Sequence, residues 1–309
     1  MYFLPTEQQS ELQRGVREVL EAAYPLDKLS GGFDAAVWAS LVETGVFSLR
    51  TELELGWVEA VLVFEELGRS ALPGPLVGTF LAAGYAEGPV TVLDRTRTPL
   101  LAPHLDIAES VLLLDSDAAY TISPPPGVAL PEPIDPLTPL YEVDGTESIA
   151  TGSTGPDAVR FDVGVEQVRL AGALLTAALQ VGLSQRLLEL AVDYAKSREQ
   201  FERPIGSFQA VKHICADMLV RTELARASLH AAAVTLDDPE VGDATRAVSG
   251  AKQLADEAAC GNARSCVQVH GGMGFTWEVP VHYFLKRAWL HATEFGTADE
   301  HAEALAQLL

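Results

Sequence analysis

The chain has 309 residues, of which 48% are hydrophobic and 21% are charged, a composition typical of a folded protein with one or two domains. Its 43 acidic residues outnumber its 21 lysines and arginines, and the net charge of -22 disfavours nucleic acid and anionic membranes as partners. Because no apolar run is long enough for a membrane span and the N-terminus lacks a signal-peptide pattern, we predict a cytoplasmic protein.

Residues 1–88 are predicted to form an N-terminal helical domain. Thr6 and Gln9 have the spacing of a capping box ahead of an apolar stripe. Asp34 is placed to cap a second helix after two consecutive glycines. Two further helices are predicted, over residues 58–67 and near residues 77–85.

Residues 89–164 are predicted to form a small β domain. Short β-type runs occur at Val90–Leu93, Val111–Leu114 and Tyr120–Ile122. The prolines that lie between residues 124 and 139 exclude helices from the connecting loops.

Residues 165–309 are predicted to form a C-terminal antiparallel bundle of four helices with inward apolar stripes. The first helix breaks at Arg203-Pro204-Ile205-Gly206, and a second is predicted from Ser207 to Asp237. A third is predicted from Val241 to His270, and two shorter helices follow. The predicted fold class is therefore mainly α with a small β domain.

The three cysteines lie in these helices and are predicted to be buried free thiols. They are Cys215, Cys260 and Cys266. No pair has zinc-finger spacing with histidines, so we expect no metal site.

Two segments could bind an anion. Arg198 lies at a helix end beside a Pro-Gly turn and a new helix N-terminus, where a guanidinium can bind phosphate. It could instead cap the C-terminus of its own helix, and the spacing alone favours that interpretation. The glycines of Gln268–Phe275 would let a ligand approach the backbone, or would only stop a helix. Within them, His270 is interpreted as a packed residue.

Both segments resemble sequences of acyl-CoA dehydrogenases, the flavoproteins that oxidise acyl-CoA thioesters. YAKSREQFERPIGSFQAVKH is similar to the signature at the start of their C-terminal helical domain, and QVHGGMGFTWEVP to their glycine-rich stretch. EELGRSALPGPL resembles the end of their N-terminal helical domain. The resemblance implies an N-terminal helical domain, a middle β domain that is reduced here, a C-terminal bundle, and FAD as cofactor.

The resemblance also implies which residues would contact FAD across a subunit interface. Arg198 matches the residue that binds the pyrophosphate, Phe201 contacts the cofactor, and Gln209 lies near the adenine. The adenosine diphosphate part is contacted from the glycine-rich stretch, by residues matching Gln268, Gly271 and Gly272. One position departs from the pattern, because Glu202 replaces the usual glycine after the phenylalanine.

The family's catalytic base is missing from both of its usual positions. In one branch a glutamate directly precedes Gly-Thr, where this chain has Phe295. Glu294 lies one residue earlier, and a shift of one residue turns a side chain by about 100° on a helix. In a second branch the glutamate lies before the signature, where Gly172 stands. Glu294 is therefore only a weak candidate for the base.

The resemblance supports three hypotheses. Some actinobacterial members, including those acting on steroid side-chain CoA thioesters, are α2β2 heterotetramers, and this chain matches the subunit without the base. The chain also lacks the family's flavin-holding loop and tryptophan strand, since no tryptophan lies between Trp57 and Trp277. The alternatives are a self-sufficient dehydrogenase that uses Glu294, and a scaffold or regulatory partner without flavin. An acyl-CoA substrate, a second subunit and an electron acceptor are the partners expected of the first hypothesis.

Overall fold

A computed structural model describes residues 5–144 and 157–309. The helices are α1 (Glu7–Ala23), α2 (Ala35–Glu43), α3 (Trp57–Arg69), α4 (Leu76–Leu81), α5 (Val165–Ser197), α6 (Gln209–Asp237), α7 (Ala244–His270), α8 (Val281–His291) and α9 (Ala298–Ala306). The strands are β1 (Val90–Asp94), β2 (Leu101–Pro103), β3 (Ser110–Leu114), β4 (Ala119–Ile122), β5 (Gly127–Ala129), β6 (Leu140–Val143), β7 (Val159–Arg160), β8 (Glu199–Gln200) and β9 (Arg203–Pro204). The predicted fold class, mainly α with a small β region, is confirmed.

The capping residues predicted from sequence begin the first two helices. Thr6 Oγ1 accepts from the Gln9 amide at 3.2 Å, and Gln9 Oε1 accepts from the Thr6 amide at 2.8 Å. Asp34 Oδ1 accepts from the Ala36 and Val37 amides in the first turn of α2. The fourth helix was predicted too long, because the chain turns after Leu81 and reaches a left-handed Gly84 at φ +86°.

The β strands form two small sheets. The first has the order β1-β3-β4-β7, with β1 and β3 parallel and Val90 paired with Ser110. The second is antiparallel, with the order β2-β6-β5. A shared buried cluster packs them, formed by Leu93, Ala102, Leu105, Val111, Leu113 and Val143. The three predicted β runs are confirmed as β1, β3 and β4.

Backbone contacts group the described residues into two compact units. One comprises residues 5–30, Gly56–Leu72 and Ala173–Leu309. The other comprises Gly31–Leu55 and the described residues of Pro73–Gly172. The division into residues 1–88, 89–164 and 165–309 stays a prediction.

In the C-terminal region, α6 packs along α7, and α7 contacts α8 and α9. The second helix was predicted to begin at Ser207 but begins at Gln209, because Ile205–Ser207 form a 3₁₀ turn. The third begins at Ala244 instead of Val241, since the Asp243 side chain accepts from the Arg246 amide and caps it there.

No helix in the described part of the chain is long and apolar enough to cross a membrane.

Two glycines let α3 and α5 cross with their backbones in contact. A Cβ built on Gly182 would lie 1.9 Å from the Glu65 carbonyl oxygen, and one on Gly68 would lie 2.1 Å from the Leu179 carbonyl oxygen. Neither position can hold a side chain unless the helices separate. The crossing therefore sets where the side chains of α3 lie relative to α5.

Candidate functional site

The segment between α5 and α6 is a short hairpin. The Arg198 amide still donates to the Tyr194 carbonyl at 2.8 Å, and β8 then pairs with β9 across the two-residue turn Phe201–Glu202. Phe201 has φ +52° and Glu202 has φ +63°. A two-residue hairpin with both residues in the left-handed region is a type I′ turn, which favours glycine or asparagine. This turn therefore carries backbone strain at both positions.

The hairpin presents an aromatic ring and a cation to solvent. Phe201 is 85% exposed, and its ring meets the Phe208 ring edge to face, with the two ring centroids 6.0 Å apart. The Arg203 guanidinium lies 4.1 Å above the same Phe208 ring, an arrangement that stabilises the hairpin. The Arg198 side chain is exposed and forms no ion pair with any residue in the described ranges.

The glycine-rich segment leaves its backbone open. Helix α7 ends at His270, and Gly271 follows with φ +57°. A Cβ built on Gly271 or Gly272 would meet no atom within 4 Å, whereas one on Gly274 would lie 2.9 Å from a carbonyl oxygen. A ligand could therefore contact the backbone at the first two glycines directly.

His270 joins the two segments. Its ring stacks on Tyr194 with centroids 4.1 Å apart, and its Nδ1 lies 2.8 Å from the Cys266 carbonyl oxygen. Since a carbonyl only accepts, Nδ1 carries the proton, while burial lowers the pKa of His270. Its interpretation as a packed histidine is confirmed.

The two segments therefore lie at one end of the bundle, which we call the motif end and define by residues 194–209 and 268–277. All the residues that the sequence suggested for cofactor binding are exposed there, namely Arg198, Phe201, Gln209, Gln268, Gly271 and Gly272.

All three cysteines are free, as predicted, but only Cys266 is fully buried.

The two positions of the family's base carry no carboxylate. Gly172 is buried within α5, and Phe295 lies in the turn after α8 with φ +53°. Glu294, one residue before, accepts a hydrogen bond from His291 Nδ1 at 2.6 Å. Its carboxylate is therefore held by its own helix end.

The electrostatics of Glu294 do not suit a base. Burial of its carboxyl favours the neutral form, but the charge of His291, the hydrogen bond from His291 and the charge of Lys252 outweigh burial and hold the pKa of Glu294 below its usual range. A general base works best with a pKa near the operating pH. The geometry thus fits the interpretation of Glu294 as a structural acid.

A buried lysine anchors the turn that carries Glu294. Lys252 is 0% exposed, and its Nζ lies 2.6 Å from Asp256 Oδ2, 3.1 Å from the His291 carbonyl oxygen and 3.4 Å from that of Gly296. Asp256 Oδ1 accepts from Gln180 Nε2 at 3.0 Å. This network was not predicted from the sequence, although a lysine four residues before an aspartate on one helix is a visible signal.

A second charged network lines a cavity of ≈ 450 Å³ between α1, α3, α5 and α6. Glu65 Oε2 lies 3.0 Å from Arg226 Nε, and Glu65 Oε1 lies 2.7 Å from His230 Nε2. Glu66 Oε1 pairs with Arg17 at 2.6 Å. Each arginine of this wall pairs with a glutamate of the wall: Arg17 with Glu66, Arg69 with Glu189, and Arg226 with Glu65 and Glu223. Within residues 5–144 and 157–309, no group of three or more histidine, cysteine, aspartate or glutamate side chains could hold a metal ion.

The comparisons with known proteins agree with the resemblance. Residues 169–309 match the family described as "Acyl-CoA dehydrogenase, C-terminal domain". The chain is 31% identical to acyl-CoA dehydrogenase IpdE2 of Mycolicibacterium smegmatis over 297 residues, which covers 89% of this chain and 88% of that protein.

Solved structures share the fold. The ChsE4–ChsE5 complex from Mycobacterium tuberculosis includes a chain with a TM-score of 0.80 and 22% identity, covering 99% of this chain and 98% of that one. The Tcur3481–Tcur3483 steroid ACAD gives a TM-score of 0.79 at 20% identity, with 98% and 97% covered. The chain belongs to the acyl-CoA dehydrogenase family, because it is 31% identical to a known acyl-CoA dehydrogenase over most of both chains and residues 169–309 match the family's C-terminal domain.

Proposed function

We propose that this chain is one subunit of a two-subunit, FAD-dependent acyl-CoA dehydrogenase, in which it lends contacts to the flavin while a partner subunit supplies the catalytic glutamate. The observation that carries the proposal is an asymmetry. The residues that would bind a cofactor are exposed at the motif end. Both positions of the family's base, Gly172 and Phe295, lack a carboxylate.

Membership of this family implies FAD as the cofactor, and the motif end fits part of it. Arg198 is exposed and forms no ion pair in the described ranges, so its charge is available to a pyrophosphate. Open space around Gly271 and Gly272 would let an anionic group reach the backbone. These residues suit the diphosphate and adenosine portion, which leaves the flavin ring to the partner.

In the assembled enzyme, bound FAD would accept the hydride from the β-carbon of the acyl thioester. The contribution of this chain would be to orient the cofactor: Arg198 would balance the pyrophosphate charge, and Phe201 would shield it from water. The partner's glutamate would remove the α-proton. Orienting the cofactor and shielding it from water do not require a base from this chain.

Two of the structural neighbours support the more specific part of the proposal. One is described as a complex of two different proteins and the other as a steroid ACAD. We therefore propose an α2β2 assembly acting on the CoA thioester of a steroid side chain, with a separate electron acceptor that reoxidises the flavin.

Replacing Arg198 with alanine is expected to lower the flavin content of the co-purified complex at least tenfold at limiting FAD, since a charge-assisted contact to pyrophosphate contributes about 1.5–3 kcal/mol. The flavin absorbance per mole of complex measures it. Arg14→Ala, which removes an exposed arginine from α1, is the matched control. Unchanged flavin content in the Arg198 variant would contradict the proposal. A wild-type complex without flavin would favour the scaffold hypothesis instead.

Glu294→Gln tests the self-sufficient alternative. Because we interpret Glu294 as structural, desaturation by the complex is expected to stay within about twofold of wild type, whereas loss of all activity would identify it as the base. Its lowered pKa means that the carboxylate stabilises the fold above the unfolded pKa of about 4.3 and loses this effect as the pH falls through the folded value. Urea unfolding should therefore show a deficit of about 1 kcal/mol at pH 7 that shrinks as the pH falls below the unfolded pKa.

A further inference from the structure

We infer that the stacked rings of Tyr194 and His270 are a positioning element: they hold Arg198 and the glycine-rich segment in one fixed arrangement, so that both reach the same diphosphate. The inference rests on the proposed function, because it takes the two segments of the motif end as parts of one FAD site. It goes further by assigning a role to two residues that are not among the expected cofactor contacts.

Tyr194 is tied to Arg198 through the backbone. The Arg198 amide donates to the Tyr194 carbonyl oxygen at 2.8 Å, so Arg198 lies one helical turn beyond the ring. The Ile205 amide donates to the Arg198 carbonyl oxygen at 2.8 Å and closes the hairpin on the helix end. A Cβ built on Gly206 would lie 2.9 Å from the Ala195 carbonyl oxygen, so the returning chain packs closely against α5. The last turn of α5, which carries Tyr194, therefore sets the position of Arg198.

His270 is tied to the glycine-rich segment in the same way. It is the last residue of α7, and its Nδ1 donates to the Cys266 carbonyl oxygen at 2.8 Å, which fixes the orientation of the ring. Gly271 follows with φ +57°, and a Cβ built on Gly274 would lie 3.2 Å from the His270 Cβ. The segment therefore leaves the helix and folds back against His270.

The glycines need such an anchor because they give an open backbone little stiffness. A Cβ on Gly271 or Gly272 would meet no atom within 4 Å, so neighbouring atoms do not confine that face of the backbone. Groups that bind a ligand together must be held within about 0.5 Å of the productive geometry. The stack, with ring centroids 4.1 Å apart and planes 21° apart, is a direct contact between the two segments. His270 is 7% exposed, so the contact is shielded from water.

Hydrogen–deuterium exchange of the full chain tests the coupling without any cofactor. Tyr194→Leu removes the ring but keeps an apolar residue that suits a helix, and we expect amide exchange of residues 268–277 to quicken about fivefold. His270→Leu removes the other ring, and the same acceleration is expected in residues 198–206. An acceleration in either variant that stays within the mutated helix end would overturn the inference.

Two controls isolate the effect of the ring stack. Tyr194→Phe keeps the stacked ring, and its exchange should match that of the wild type. Tyr85→Leu removes a tyrosine whose ring stacks on Phe161 at 3.9 Å in the second compact unit, and should leave exchange at the motif end unchanged. A motif end that exchanges faster in the Tyr85 variant as well would mean that the effect is a general loss of stability, and would contradict the inference.

A double-mutant cycle on the co-purified complex, stripped of flavin, links the stack to the cofactor. Tyr194→Leu should raise the Kd for FAD about tenfold in a fluorescence titration, since Arg198 and the glycines are then no longer held together. Because the ring acts through the placement of Arg198, the double variant with Arg198→Ala should bind FAD within about twofold of Arg198→Ala alone. Additive losses would show that the ring does not position the site. A wild-type complex that binds no FAD would contradict the proposed function, and the exchange experiment would still decide whether the stack couples the two segments.

Discussion

Replacing Lys252 with methionine should lower the free energy of unfolding by about 3–5 kcal/mol at pH 7, since it leaves the Asp256 carboxylate buried without its cation. The ammonium group also fixes the turn after α8, through the His291 and Gly296 carbonyl oxygens at 3.1 and 3.4 Å. Urea unfolding followed by circular dichroism measures the loss. A variant within 1 kcal/mol of wild type would show that the network contributes little.

The pH dependence of this variant identifies the cause. Burial already raises the pKa of Asp256 in the wild-type chain, despite the nearby lysine. Without Lys252 that pKa rises further, so the folded variant binds a proton that the unfolded chain releases above about pH 3.9. Stability from that proton is present at low pH and is lost as the pH rises through the folded pKa. The deficit should therefore be smaller at pH 5 than at pH 7.

A double variant provides the control. Combining Lys252→Met with Asp256→Leu removes both charges, and apolar residues of similar volume often replace a buried ion pair without loss. Most of the lost stability should return, and the difference between pH 5 and pH 7 should disappear. A double variant as unstable as the single one would place the effect in the two carbonyl contacts instead.

The second large effect is expected at Glu65, whose replacement with alanine should destabilise the chain by about 3 kcal/mol. Glu65 is 3% exposed. Its Oε2 lies 3.0 Å from Arg226 Nε, and its Oε1 lies 2.7 Å from His230 Nε2. Arg226 and His230 would then lose the carboxylate that they contact, in a cavity wall that also carries other charged side chains. Thermal unfolding measured by calorimetry would report the change.

The neighbouring residue offers a matched comparison. Glu66 is equally buried, at 3% exposed, but its partner Arg17 has a side chain that is 42% exposed. Arg17 can be solvated by water once the carboxylate is gone, so Glu66→Ala should cost about 1 kcal/mol. Equal losses for the two variants would mean that partner burial does not determine the cost.

Local signals in the sequence predicted much of the architecture. The capping box at Thr6, the cap at Asp34 and the end of α7 at Gly271 depend on residues a few positions apart, and all three are confirmed. The family and its cofactor FAD could be predicted because each of the two motifs is a contiguous run of residues. The site positions carried over from them stay predictions, although the structure places them together at one end of the bundle.

Contacts between distant residues could not be predicted in this way. Asp237, at the end of α6, accepts from the first amide of α3 at 2.8 Å, across 180 positions of the chain. The bonds that Lys252 forms with the turn after α8 also join separate elements. The strain at Glu202 depends on backbone angles that no residue type specifies. Such contacts arise from packing, and a single sequence does not encode them by spacing.

The crossing of α3 and α5 limits how this sequence can evolve. A single methyl group at Gly182 would collide with the Glu65 carbonyl and push α3 away, which would separate the Glu65 carboxylate from Arg226 and His230. Substitutions that preserve every charge of the network could therefore still disrupt it from the neighbouring helix. In a lineage of related chains, the glycine and the charged residues should be inherited or lost as a group, because each has value only while the others remain.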